Sequence, residues 1–194
     1  MRIAYLGWGS LVWDPKTLPI VGTWENGGPV LPIEFSRISS DGRLTLVIDE
    51  VHGTNVETLF AVSDVDELSI AIEQLMKREG CPNTKNIGSV DILNLGSMTG
   101  ISVVYETIIE WARANNFDGV VWTALPSNFY KKTDELFSVD NALNYLKVLQ
   151  GEELELALEY IDKAHKVVRT PFREQYNLLR EVDFVHCPRV KNSR

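Results

Sequence analysis

The chain opens on a short, largely apolar stretch, "RIAYL", and then alternates apolar and polar positions in "PIEFSRIS" and "RLTLVID". These runs read as short strands. Ser40-Asp41-Gly42 joins the last two and predicts a hairpin, because Asp-Gly tolerates the positive φ that such turns need. A second turn, "EVHGTN", leads into a further strand, "VETLFAVS". Short strands with tight connections predict a meander or a partly closed barrel.

From Ser63 the period changes. Ser63 reads as an N-cap, with Asp64, Asp66 and Glu67 in the first turn, where negative charge suits the helix dipole. Val65, Leu68, Ile72, Leu75 and Met76 form an apolar stripe, and Gly80 and Pro82 close the helix. Beyond it, "SVDILNL" reads as a strand, "SVVYETIIEWARANN" as a helix and "GVVWTAL" as a buried strand. The last third is helical: "SVDNALNYLKVLQG" ends at a glycine, "EELELALEYIDKAHKVV" follows, and Thr170-Pro171 opens "PFREQYNLLREV". Strands first and helices later predict an α+β fold. We expect a core over 1–135 and a helical extension over 136–194 packed on it as one compact domain.

Composition narrows the function classes. The 194 residues are 44% hydrophobic and 24% charged, with net charge −8 and pI near 4.9. An acidic chain argues against a nucleic-acid partner and against adsorption to an anionic membrane. The opening apolar run is too short for a signal or spanning helix, and Cys81 and Cys187 are far apart, so reduced thiols and a cytoplasmic location are expected.

Two features could carry chemistry. In "YLGWGSLVWD", Gly7 and Gly9 mimic a dinucleotide loop, but Val12 stands where the third glycine is required. Glycines at a strand end bring backbone amides close to a ligand, and Ser10 adds a hydroxyl, so this turn could hold a carboxylate or an oxyanion. Taken alone, it reads first as a tight bend that packs tryptophans, since a glycine at a bend needs no ligand. The second feature is Glu79, which lies four residues after Leu75 and seven after Ile72 and so extends the apolar stripe. In the last helical turn a negative charge gains nothing from the dipole. Glu79 is therefore either a candidate general base or a residue paired with an arginine such as Arg37 or Arg43.

The remaining candidates have structural readings. His186 beside Cys187 lacks metal-ligand spacing, His52 sits in a turn, and His165 lies late in a helix. Trp111 and Trp122 read as core, and no metal site is expected.

Together, "YLGWGSLVWDP" and the helix ending "LMKREG" resemble the γ-glutamylcyclotransferase-like superfamily, particularly its ChaC-like branch, whose signature loop reads like F-G-Y-G-S-L-I-W. The likeness, which includes the strand "TLFAV", covers about the first 80 residues. It implies a mixed, partly closed β-barrel with flanking helices and a cavity between loop and helix. It also implies that Leu6, Gly7, Trp8, Gly9, Ser10 and Leu11 cradle a γ-glutamyl group, with Glu79 as the acid/base. Trp8 departs from the family's tyrosine and offers only an N–H. The implied reaction is cyclisation of a γ-glutamyl peptide or γ-glutamylamine to 5-oxoproline and a free amine, without metal or cofactor. Glutathione, a γ-glutamyl amino acid and a γ-glutamylamine all fit this description. The alternative is a catalytically inactive small-ligand binding module of the same fold. Oligomeric state is not set by the sequence.

Overall fold

The computed structural model describes residues 1–80, 83–95 and 102–186; Cys81, Pro82 and Cys187 lie outside the described residues, as does the side chain of His186. It is an α+β fold of eight strands and seven α-helices among the described residues.

The apolar opening forms β1 (Ile3–Gly7), buried at every position because it runs through the middle of a sheet. A four-residue helix, α1 (Ser10–Trp13), follows. Next comes β2 (Ile20–Glu25), which has no alternating pattern and was not expected. It is an edge strand, and its register shifts between Val21 and Glu25. The expected hairpin is present as β3 (Val30–Ile38) and β4 (Leu44–Ile48).

The run "VETLFAVS" is two strands instead of one. β5 (Thr54–Glu57) pairs with β3, and β6 (Leu59–Ser63) pairs with β1 in a different sheet. The break falls at Thr58, which is fully buried. Its hydroxyl donates to the Pro29 carbonyl at 2.7 Å, and its own carbonyl accepts the Gly28 N–H at 3.0 Å. These contacts pin the chain where it crosses between sheets.

α2 (Leu68–Glu79) starts four residues later than expected, with Glu67 and not Ser63 at the N-cap. Ser63 is the last residue of β6 and pairs with Ile20, so the sheet holds it and the acidic residues 64, 66 and 67 precede the helix. Its end is as expected: Gly80 takes φ +63°, and its N–H closes on Lys77 and Met76. β7 (Ile87–Asp91) begins two residues before the expected strand "SVDILNL" and stops at Asp91, while α3 (Val103–Ala114) and β8 (Gly119–Thr123) occupy the other two middle segments. A short α4 (Phe129–Thr133) precedes α5 (Val139–Val148), α6 (Gly151–Lys163) and α7 (Pro171–His186). Gly151 begins α6 and does not end α5, and Thr170 caps α7 by accepting the Arg173 N–H at 3.4 Å.

The strands form a mixed sheet of five, in the order β2-β6-β1-β8-β7, and an antiparallel sheet of three, β4-β3-β5. The two are not closed into a barrel, because the chain changes sheet at Thr58. The main apolar cluster lies between the sheets and the C-terminal helices, joining Leu6, Phe35 and Trp122 to Ala157, Ile161 and Phe172. It draws on residues from both sides of position 135. A smaller cluster packs α2 on the opposite face of β1 and β8 through Ala71 and Leu75. Among the described residues no helix is long and apolar enough to cross a membrane.

Candidate active site

β1 and α2 deliver the two parts of the site. β1 ends at Gly7, and the chain turns through Trp8 and Gly9 into α1. Trp8 is buried, and its indole N–H donates to the Leu46 carbonyl at 3.3 Å, which ties the turn to β4. Gly9 is required for space: a Cβ there would collide with the Tyr160 hydroxyl arriving from α6.

The last turn of α2 carries Arg78 and Glu79. Arg78 is buried, three residues after Leu75 and seven after Ala71, at the centre of the inward face. Leu68, Ile72, Met76 and Glu79 flank that centre and are only partly buried. The Arg78 guanidinium holds three groups at once. Nη1 donates to Glu79 Oε1 at 2.6 Å, Nη2 to Ser10 Oγ at 3.3 Å, and Nε and Nη2 to the Asp14 carbonyl at 3.1 and 2.6 Å. One planar cation thus fixes both the carboxylate and the loop hydroxyl, with a multi-point geometry that lysine could not reproduce. One partner of Glu79 is its own neighbour in sequence, which the helical wheel did not suggest. Thr123, at the end of β8, also donates to Oε1 at 3.4 Å.

These elements enclose a cavity of about 350 Å³. All six loop residues, Leu6, Gly7, Trp8, Gly9, Ser10 and Leu11, line it together with Glu79. The three-stranded sheet and its β3–β4 turn also line it and bring Arg37 and Arg43. A second cavity of about 540 Å³ adjoins the first and shares Ser10, Arg43, Glu79 and Tyr160 with it. The Glu79 side chain is 15% exposed, buried enough to be held yet open to a ligand. Arg43 is paired with Asp41 at 2.7 Å, and Arg37 donates to the Pro126 carbonyl at 2.7 Å.

Tyr160 is the most perturbed group at the site. Burial pushes its phenol up to about 12, against the opposing pull of the Leu46 and Ser10 N–H groups directed at its oxygen. The nearby Glu79 charge adds to the rise.

Sequence reading missed Arg78, Thr123 and Tyr160. Arg78 was detectable, because it occupies an inward position of the same helix. Tyr160 was not, since among Ala157 and Ile161 it reads as ordinary core. The other candidates lie elsewhere: His52 packs on Phe137 and pairs with Asp49 at 3.2 Å, and His165 lies beyond the end of α6. Trp122 is core, whereas Trp111 is half-buried and donates to the Gly27 carbonyl at 2.7 Å. Among the described residues no group of three or more His, Cys, Asp and Glu could hold a metal ion. No family model, curated protein or solved structure matches the chain.

Proposed function

We propose that the chain is a γ-glutamylcyclotransferase-like enzyme of the ChaC-like kind, its two sheets an opened form of that family's mixed barrel. The observation that carries this reading is the meeting of Glu79 with the whole loop from Leu6 to Leu11 in one small cavity. Cavities of about this volume suit a single small molecule. Arg37 and Arg43, which line the same cavity, suit the carboxylate that every γ-glutamyl group carries.

The reaction joins two ends of one substrate. The α-amine, an ammonium ion at neutral pH, gives a proton to the Glu79 carboxylate, and the freed nitrogen attacks the γ-carbonyl carbon. Glu79 passes that first proton to solvent and takes a second from the ring nitrogen, which carries two hydrogens after the attack. The tetrahedral adduct then collapses as the bond to the leaving nitrogen breaks, and Glu79 gives the second proton to that nitrogen. The products are 5-oxoproline and a free amine. Nucleophile and electrophile belong to the same molecule, so the protein's main task is to hold the folded conformer. Arg78 and Thr123 fix the carboxylate for this role. Trp8 does not deprive the loop of a phenol, because Tyr160 brings one to the same turn.

A second reading, a small-ligand binding module without turnover, is favoured by the 2.6 Å Arg78–Glu79 pair, which gives the carboxylate a standing partner before any ligand arrives. Incubation with γ-glutamyl peptides and γ-glutamylamines, followed by assay of 5-oxoproline, separates the two. The enzyme reading expects product from at least one substrate and a loss of about 10³-fold in Glu79→Gln. Equal turnover by the variant, or no product from the whole panel, overturns it. Calorimetric binding without turnover would establish the second.

A further inference from the structure

Tyr160 reaches the loop from the C-terminal third of the chain. Its phenol oxygen accepts the Leu46 N–H at 3.3 Å, and the Ser10 N–H approaches the same oxygen. The ring is locked by an edge-to-face contact with Trp13 at 5.1 Å, and Phe35 packs against it at 6.3 Å. The hydroxyl stands where any residue other than glycine at position 9 would place its Cβ. A phenol has one proton to donate. With backbone N–H groups occupying its oxygen, and no acceptor for its O–H among the described residues, that proton is left for the cavity that Tyr160 lines.

Resting on the cyclotransferase reading, we propose that the Tyr160 hydroxyl is a catalytic hydrogen-bond donor to the γ-carbonyl oxygen of the substrate. As the α-nitrogen forms its bond to the γ-carbon, the π pair of the carbonyl moves onto oxygen. The phenol O–H stabilises that charge without giving up its proton. When the adduct collapses, the pair returns and the bond to the leaving nitrogen breaks, so no net proton passes through Tyr160. The N–H groups donating to the phenol oxygen strengthen its O–H as a donor, and they hold it in place before substrate arrives. The phenol also stays protonated throughout the neutral range, since burial holds it at about 12. Helix α6 is thereby part of the active site as well as a cover for the core, and the N–H of Ser10 serves the substrate through Tyr160.

The test is Tyr160→Phe in the full chain, assayed with γ-glutamylglycine and with its γ-thioamide analogue. We expect kcat on the amide to fall about 10²-fold or more with KM little changed. We also expect the preference for oxygen over sulfur at the carbonyl to collapse in the variant, a readout that a merely structural role would leave alone. If Tyr160→Phe does not fold, Gly9→Ala carries the test, because its methyl displaces the hydroxyl while the tyrosine remains; the same two losses are expected. Wild-type kcat, a change in KM alone, or an unchanged oxygen-to-sulfur preference overturns the proposal while leaving Glu79-dependent turnover intact. Absence of 5-oxoproline from the wild-type protein overturns the cyclotransferase reading itself, and this proposal with it.

Discussion

Two glutamates, Glu34 and Glu79, show what separates a buried carboxylate from a usable one. Glu34 lies in β3 and is 1% exposed. One oxygen accepts its neighbour's N–H, that of Phe35, at 2.7 Å, and the other the Phe172 N–H at 3.5 Å in the first turn of α7. It lines neither cavity near the loop, and its charge sits at a helix N-terminus, where the dipole favours it. Burial nevertheless raises its pKa, against the Thr170 hydroxyl and the Phe35 and Phe172 N–H groups, which pull it down. Glu79 is less buried, lies at the opposite end of a helix, and opens onto a cavity. The more deeply buried of the two carboxylates, Glu34, is thus the structural one. Access to a ligand, and not burial alone, marks a candidate base.

Exchanging the roles of the two is the sharpest way to break this contrast. Glu79→Gln should remove most turnover while Glu34→Gln keeps it; steady-state kinetics on both variants checks this, and parallel losses would erase the distinction. The next effect is on stability. Glu34→Ala leaves the Phe35 and Phe172 N–H groups without their acceptor and should cost about 2–3 kcal/mol in chemical denaturation. A cost below about 0.5 kcal/mol, the level of a neutral surface change, would mean that Glu34 does not hold α7 to β3. Arg78→Lys comes third. The ammonium cannot reach Glu79, Ser10 and Asp14 together, so kcat should fall about tenfold, equivalent to about 1.4 kcal/mol, with the fold kept. Unchanged kinetics would remove Arg78 from the site.

The smallest effect is in pH dependence. The folded-state pKa of Glu34 is raised above its ordinary 4.5. Between the two values the folded chain keeps a proton that the unfolded chain has released, so this group's contribution to stability declines as pH rises through that window. Asp41 and Asp49 act in the opposite sense at lower pH. Burial opposes their ionisation but is outweighed by hydrogen bonds, from Arg43 and Ser39 to Asp41 and from Val51 and His52 to Asp49. Their stabilisation is therefore lost as pH falls through their lowered folded pKa values. Denaturation series at several pH values should show Glu34→Gln flattening only the upper window. An identical pH profile in the variant would show that Glu34 does not titrate there.

Much of this architecture is legible in residue order, and the exceptions have physical reasons. The central β1, the β3–β4 hairpin and the Gly80 stop follow from apolar runs, turn chemistry and a left-handed cap. The edge strand β2 escaped because it is mostly exposed and its register shifts, so period-2 alternation is absent. The β5–β6 run looked continuous because hydropathy does not record a change of partner sheet; only the Thr58 contacts do. Ser63 has the chemistry of a cap, but pairing with Ile20 claimed it for the sheet. At the site, the glycine turn with Ser10 and the place of Glu79 on the helix are readable as candidates from the residues, and the wider loop only through the family resemblance. Tyr160, by contrast, is 81 residues beyond Glu79 and is brought in only by tertiary packing. The glycine at position 9 was the visible half of that contact.

The central claim is an intramolecular attack by the substrate's own α-amine, with Glu79 moving the proton. It is tested most directly by turning over a γ-glutamyl peptide labelled with ¹⁵N at the α-nitrogen and following the label by NMR. The account predicts ¹⁵N in the ring amide of 5-oxoproline from the wild-type protein and a loss of about 10³-fold in the rate with Glu79→Gln. Label recovered in free glutamate, or labelled 5-oxoproline released equally fast by the variant, would contradict it.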